Sequence, residues 1–206
     1  MRRFPPFVLP AAIVAAIAAP LAAQTFSESY TFLKAVRSGD AAVVERVVNN
    51  PSSGAINARE EGSGEGALHI LVRQRNLAWV AYLLSRGARA DLAMNDGTTP
   101  LGLAAQLGWV DGATQLLARG ARVDIANQRG ETPLILAVQA RHVSITDRLA
   151  IINLLLGQGA DPNRQDNFAG YSALDYARQD TRAPEVLRAL EQRRPRAGNN
   201  SFGPNQ

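Results

Sequence analysis

The chain has 206 residues, of which 46% are hydrophobic and 19% charged, and its formal net charge is +4. This length and composition indicate one folded domain and exclude a wholly disordered chain. The absence of cysteine excludes disulfides, thiolate metal sites and a cysteine nucleophile, and so small a net charge does not indicate nucleic-acid binding.

The first segment, residues 1–23, has the order of a secretory signal peptide. Arg2 and Arg3 precede an apolar run over residues 7–19, and small side chains precede a polar stretch. We expect cleavage after Ala23 and a periplasmic or secreted protein. An uncleaved membrane anchor and a cytosolic protein are the alternatives, but the run is shorter than the ~20 residues that span a bilayer.

Residues 24–194 are expected to form one helical domain. Apolar periodicity over residues 30–50 predicts a first helical pair, and residues 53–66 predict a loop. A last helix near residues 184–193 is expected to bury Val186, Leu187 and Leu190. Residues 195–206, rich in glycine, asparagine and proline, predict a disordered tail.

Between these ends the sequence repeats itself. Residues 97–105 and 130–138 share a Gly-x-Thr-Pro-Leu-x-x-Ala pattern that puts Thr99 and Thr132 33 positions apart. A Leu-Leu pair followed by Gly-Ala recurs with the same step, at Gly87 and Gly120. Weaker copies of the first pattern begin near residues 66 and 172. Two markers in one register indicate a stack of repeated helical units.

Each marker has a physical meaning. A threonine before proline caps a helix that the proline can begin, since proline lacks only an N–H that would be unpaired there. The glycine after paired leucines permits the left-handed turn that ends a helix. One repeat is therefore a turn, a short helix, a bend and a longer helix. The third Gly-Ala, at Gly159, comes 39 positions after the second, so about six residues are inserted around residues 141–149.

The Thr-Pro-Leu-x-x-Ala and Leu-Leu-x-x-Gly-Ala patterns resemble the ankyrin repeat. The resemblance covers residues 26–194 and implies an all-α solenoid of about five helix-turn-helix repeats with degenerate terminal caps. It implies a protein-binding scaffold without catalysis, because such arrays chiefly recognise other proteins.

No candidate catalytic, metal or cofactor site emerges from the residue types. His69 occupies the histidine position of the repeat, where the resemblance implies a structural hydrogen bond between turns. His142 lies in the insertion without a second ligand at metal-binding spacing. Residues 62–66 lack the lysine of a phosphate-binding loop and predict a turn. Asp161, Asn163 and Asp166 lack the glutamate of a calcium loop and predict turn residues.

The resemblance implies a concave binding face made of turn tips and the ends of first helices, and we expect the irregular insertion after Gln139 to be a second place for binding. Mapped onto this chain, that face mixes amides, charges and aromatic side chains, of which tryptophan, tyrosine and arginine are the usual anchors. Trp109, in a bend, is expected to be accessible, whereas Trp79 is expected in the core. The predicted partner-binding residues are Glu65, Arg73, Gln74, Asn95, Asp96, Thr98, Gln106, Trp109, Gln128, Arg129, Glu131, Gln139, Phe168 and Tyr171.

We expect a periplasmic protein-binding module that is a monomer when unbound, with no nucleic-acid partner and no stable membrane insertion after cleavage. By resemblance to small exported bacterial ankyrin proteins, two narrower roles stay open. One is an immunity protein that neutralises a secreted effector, and the other is an accessory protein for an oxidative-stress enzyme such as catalase. A hydrolase with an unrecognised site is the alternative from a different class.

Overall fold

The computed structural model describes residues 19–50 and 53–192. The described residues contain ten α-helices and one short 3-10 turn at Ala55–Asn57. The helices are α1 (Ala19–Ser38), α2 (Ala41–Val48), α3 (Ala67–Arg73), α4 (Leu77–Ser85), α5 (Pro100–Gln106), α6 (Val110–Ala118), α7 (Pro133–Gln139), α8 (Ile145–Gly157), α9 (Ala173–Gln179) and α10 (Pro184–Gln192).

Successive helices form antiparallel pairs that stack into two layers. The first helices α1, α3, α5, α7 and α9 contact one another in that order. The second helices α4, α6, α8 and α10 form the other layer, and each pair also packs internally. Because the main helix contacts run from each repeat to the next, the described residues form the quasi-one-dimensional all-α solenoid that the 33-residue period predicts.

The predicted capping residues begin and end the helices as expected. The Thr99 hydroxyl accepts a hydrogen bond from the Gly102 N–H at 3.1 Å, and Thr132 accepts one from the Ile135 N–H at 3.3 Å. After the second helices, Gly87 has a φ of 90°. Only glycine adopts this left-handed conformation without a steric penalty, so it ends α4 where the sequence predicts.

The inserted residues lengthen both the bend and the second helix of the fourth repeat. Five residues separate α7 from α8, whereas three separate α5 from α6. Helix α8 has 13 residues and α6 has nine. The insertion therefore adds two residues to the bend and four to the helix. His142 lies exposed in this bend, as predicted.

The core lies between the two helical layers and continues through every repeat. Val186 and Leu190 of the last helix are fully buried as predicted, whereas Leu187 is half-buried. Trp79 is also only half-buried. Its ring packs edge-on against that of Tyr82, another half-buried residue of α4. Its predicted place in the core is thus only partly correct.

The two predicted terminal segments fall mainly outside the described residues. The signal segment, residues 1–23, is described only from Ala19, where α1 begins, and the tail, residues 195–206, lies wholly beyond them. A cut after Ala23 would fall inside α1 and leave the part of that helix whose side chains are buried, at Phe32, Leu33, Ala35 and Val36. No helix among the described residues is long and apolar enough to span a membrane.

Candidate partner-binding surface

The turns that precede the first helices are joined into a ladder by backbone hydrogen bonds. The Asn95 N–H donates to the Ser63 carbonyl at 2.9 Å, and the Gln128 N–H donates to the Asp96 carbonyl at 2.8 Å. The Asn167 N–H donates to the Arg129 carbonyl at 2.7 Å. Each turn tip is therefore fixed to the next, which holds side chains of successive repeats in one row.

Six predicted residues at these tips are exposed, and we call them the tip surface. In chain order they are an amide, an acid, an amide, a base and two aromatic side chains. They are Asn95, Asp96, Gln128, Arg129, Phe168 and Tyr171. The backbone of the first four is bonded to neighbouring repeats, and that of Phe168 and Tyr171 is bonded to Asp166 of their own turn. Their positions are therefore fixed before any partner arrives, which reduces the entropy lost on binding.

The residues predicted at the ends of the first helices flank this row. Arg73, Gln74 and Gln106 are exposed, and Gln139 is half-buried. The Gln74 amide donates to the Arg37 carbonyl at 2.9 Å, so it also joins the first two repeats.

The accessibility expected of Trp109 is wrong. Its ring is 6% exposed and belongs to the core. A Cβ atom at Gly112, one turn further along α6, would collide with the ring. The missing side chain of Gly112 is what lets the indole fold back onto its own helix, and Trp109 is thereby removed from the predicted surface.

Glu131 and Thr98 are also buried, contrary to expectation. The Glu131 carboxylate pairs with Arg129 at 2.7 Å and accepts a hydrogen bond from the Asn127 amide at 2.7 Å. The Thr98 N–H donates to the Asp96 carboxylate at 2.8 Å. Both residues form hydrogen bonds or ion pairs within their own turns, so they position the exposed neighbours and do not themselves face a partner.

Glu65 lies beneath arginines that neutralise it. Its two carboxylate oxygens lie 2.9 Å from Arg73 Nε and 3.2 Å from Arg37. Arg37 also lies 3.2 Å from Glu60. Charged side chains of the first two repeats therefore form ion pairs with one another. Glu65 is half-buried and already paired, so it is a weaker candidate contact than predicted.

The last tip presents the most exposed large apolar side chain in the described part of the chain. Phe168 is 89% exposed. Its turn is organised by Asp166, whose carboxylate accepts the N–H groups of Phe168, Ala169 and Gly170 at 2.9, 2.7 and 3.1 Å. The turn role that the sequence predicts for Asp166 is confirmed, and a rigid turn thus holds an aromatic ring in solvent.

A second ring stands beside it. Tyr171 packs edge-on against Tyr176, with ring centroids 5.5 Å apart, and the Tyr176 hydroxyl donates to Asp166 at 2.5 Å. Burial, together with the hydrogen bond and negative charge of Asp166, raises the pKa of Tyr176 to about 12. Tyr176 therefore stays a neutral donor that locks the aromatic tip to α9.

His69 has the structural role expected of it. Its Nδ1 accepts the Gly66 N–H at 3.2 Å, so Nε2 carries the proton and donates to the Thr98 carbonyl at 3.1 Å. Burial lowers the pKa of His69, although the Thr98 bond opposes this. The neutral ring thus ties the second tip to the third.

Sequence reasoning missed the buried pair of Arg148 and Asp180. Both are about 5% exposed and lie 2.9 Å apart, and Arg148 also donates to the Val138 carbonyl. Burial opposes ionisation of Asp180, but the hydrogen bond and charge of Arg148 outweigh it and lower the pKa of Asp180. One signal was visible, since Arg148 shares a helical stripe with Ile151, Ile152 and Leu155, all buried.

Asp161 and Asn163 lie together in a turn. Asp161 accepts the Asn163 N–H at 2.9 Å, which confirms a turn role for this pair. Within the described ranges, no three histidine or acidic side chains converge as metal ligands do.

Comparisons with known proteins agree with the repeat architecture. A family model described as "Ankyrin repeats (3 copies)" matches residues 32–127, and one described as "Ankyrin repeat" matches residues 129–167. A curated relative, the nuclear factor NF-kappa-B p105 subunit of Gallus gallus, is 46% identical over 55 residues. That match covers 26% of this chain and only 6% of the relative. Because the family matches extend over more than half of the chain, and the helical pairs repeat as they predict, the chain belongs to the ankyrin-repeat family.

Proposed function

We propose that this chain is an exported ankyrin module that binds a protein partner through its tip surface and the adjoining ends of the first helices, and that it performs no catalysis. Ankyrin repeats indicate a protein-protein interaction module. The use of this particular surface and the location outside the cytoplasm are the parts that need testing.

The exposed Phe168 is the observation that carries the proposal. Exposing a large apolar ring is unfavourable in water, yet four hydrogen bonds to Asp166 hold the turn that exposes it. Tyr171 and Arg129 lie on the same ladder, and aromatic and arginine side chains are the commonest interface anchors. A fixed, apolar anchor beside polar groups is suited to a complementary pocket on another protein.

Affinity capture with matched variants tests this function. The chain is immobilised, incubated with periplasmic extract, and compared with Phe168→Ala and with Leu77→Ala. Leu77 is also an exposed apolar residue, but it begins α4 and lies away from the tips. Neither substitution removes a buried side chain, so both variants should remain folded.

We expect one or more proteins retained by the wild type and by Leu77→Ala, and weakened about tenfold or more by Phe168→Ala. Retention that is equal in all three proteins would contradict the use of the tip surface. The identity of a retained protein would separate an immunity role, with a secreted effector bound, from a stress-helper role, with an oxidative-stress enzyme bound.

Export is supported by the charged start and apolar run of residues 1–23. Mass spectrometry of the chain from fractionated cells tests it. Export with cleavage predicts a periplasmic form beginning at Gln24. A membrane-bound form beginning at Met1 would replace the soluble module with an anchored one.

A further inference from the structure

A groove lies at the other end of α7 from the tips, where the six inserted residues meet the last repeat. It encloses about 380 Å³ between the α7–α8 bend and the α9–α10 bend. Its lining residues, which define the insertion groove, are Arg141, Val143, Ile145, Arg148, Asp180, Arg182, Ala183 and Glu185. Helix α7 has seven residues, so the groove lies roughly 10 Å from the tips along that helix.

The lengthened bend forms one side of this groove. Val143, in the lengthened bend, packs so closely over Gly108 of the preceding repeat that a Cβ there would collide with it. The bend therefore packs against the third repeat, while Arg141, its second residue, reaches Asp180 of the last repeat. At the same position the bend between α5 and α6 has Gly108, and the bend between α3 and α4 has Arg75, which donates to the Leu107 carbonyl at 2.7 Å.

The charges in the groove favour an anionic ligand. Asp180 is already neutralised by Arg148 at 2.9 Å, and Arg141 Nε stands 3.7 Å from the same oxygen. The Arg141 side chain is 64% exposed, which leaves most of its donors free for a ligand. Arg182 makes no ion pair within the described part of the chain, and Glu185 is the one other acid in the lining. Three arginines therefore face two carboxylates.

The inner wall also has an unused hydrogen-bond donor. Arg148 is 4% exposed, and its Nε has no hydrogen-bond partner in the described ranges. A buried N–H without an acceptor is unfavourable, so Arg148 holds the inner wall at a cost in stability. The opposite wall is aliphatic, with Ile145 43% exposed and Val143 half-buried.

We infer that the insertion groove is a second binding site, which takes an acidic side chain flanked by an aliphatic one on a peptide segment of a protein partner. Arg141 and Arg182 bind the carboxylate, and Ile145 and Val143 contact the aliphatic neighbour. The guanidinium fork suits a carboxylate in a bidentate arrangement, which sets this ligand apart from a simple apolar one. The inference does not require the tip surface to bind anything.

Peptide titration followed by NMR tests this site in the purified full chain. The probe is the peptide Gly-Leu-Glu-Leu-Gly with blocked ends, and its matched control is Gly-Leu-Gln-Leu-Gly. We expect the glutamate peptide to shift the Ile145 methyl and the Nε–H signals of Arg141 and Arg182 saturably, with a Kd on the order of 1 mM or tighter.

Two variants show whether the charge acts in the groove. The double variant Arg141→Gln, Arg182→Gln should weaken binding about tenfold, because it removes both exposed guanidinium groups. Arg119→Gln, an exposed arginine at the end of α6, changes a charge elsewhere and should leave the Kd unchanged. Phe168→Ala should also leave it unchanged, so failure of this site and failure of the tip surface are separable.

Three results would overturn the inference. They are no saturable shift of Ile145 at millimolar peptide, equal affinity for the glutamine peptide, and an equal loss of affinity in Arg119→Gln. The lining arginines being exchanged are exposed, so circular dichroism should confirm that each variant keeps the wild-type helix content.

Discussion

Replacing Arg148 by methionine is expected to destabilise the last two repeats strongly. Methionine keeps much of the apolar stem but removes the charge that faces Asp180 at 2.9 Å. Breaking a buried ion pair by removing one partner costs about 3–5 kcal/mol. Arg141 still lies 3.7 Å from Asp180, so the lower end, about 3 kcal/mol, is expected. The loss is large beside the 5–15 kcal/mol that typically holds a domain together.

The pH dependence gives this prediction its sharper form. In the wild type the pKa of Asp180 is lowered, so the stabilisation that ionised Asp180 provides is fully present above its ordinary value of 3.8 and is lost as the pH falls from there through the lowered pKa. In Arg148→Met, burial is opposed by the weaker Arg141 contact and the Arg182 backbone hydrogen bond alone, and the pKa of Asp180 should rise. Protonation of Asp180 then removes the unpaired buried charge in the variant. The difference in the free energy of unfolding between the wild type and Arg148→Met should therefore become smaller as the pH falls from 7 to 4.

Urea unfolding followed by circular dichroism measures both effects, with hydrogen exchange locating the loss in α8–α10. The double variant Arg148→Met, Asp180→Leu should recover most of the stability, because no charge is left buried. Exposed Arg141→Gln should cost less than about 1 kcal/mol. A loss below about 0.5 kcal/mol in Arg148→Met, or a gap that does not change with pH, would refute the reasoning.

Three further changes test the local structure. Thr132→Ala should lower the free energy of unfolding by about 1 kcal/mol in urea titrations, because the Ile135 N–H loses its cap, whereas Thr132→Ser should retain it. Because burial lowers the pKa of His69, the unfolded chain takes up a proton first and stability falls as the pH drops below 6.5. His69→Gln should flatten that slope and exposed His142→Gln should not; an unchanged slope in His69→Gln would contradict the assignment. Asp166→Ala should cost about 1–3 kcal/mol and lower the pKa of Tyr176 from about 12, read by ultraviolet titration; an unmoved titration would count against the Asp166 contact.

The repeat architecture could be predicted because its signals are local. Thr99 and Thr132 cap helices through atoms three residues away, and Gly87 ends a helix through its own φ. Such short-range preferences, repeated in one register, determine the same structure in each unit. The turn role of Asp166 depends on the same short spacing, whereas the role of His69, which reaches Thr98 29 positions away, was implied by the resemblance to the ankyrin repeat.

The failures concern residues whose environment is set by a particular neighbour. Trp109 is buried because Gly112 leaves room for its ring, and Glu131 because Arg129 and Asn127 reach its carboxylate. A repeat pattern assigns a position to a face, but it does not fix which side chain turns inward there. Exposure at the tips was predicted best where the turn itself points outward, as at Phe168.

The insertion after Gln139 could be predicted as a place for binding, but the groove itself could not, for a related reason. The extra residues interrupt the repeat register, so no other repeat indicates where they lie. Arg148 offered a signal, because a charged residue on the apolar stripe of α8 must find a buried partner. The partner, Asp180, is 32 positions away and in another repeat.

Site-specific photo-crosslinking tests the central proposal most directly. A benzoylphenylalanine at position 168 is compared in living cells with one at position 77, and each replaces an exposed apolar side chain. Binding through the tip surface predicts a discrete crosslinked protein at position 168 that is absent or much weaker at position 77. Equal crosslinking at the two positions, or none at position 168 while the chain remains folded, would contradict that proposal.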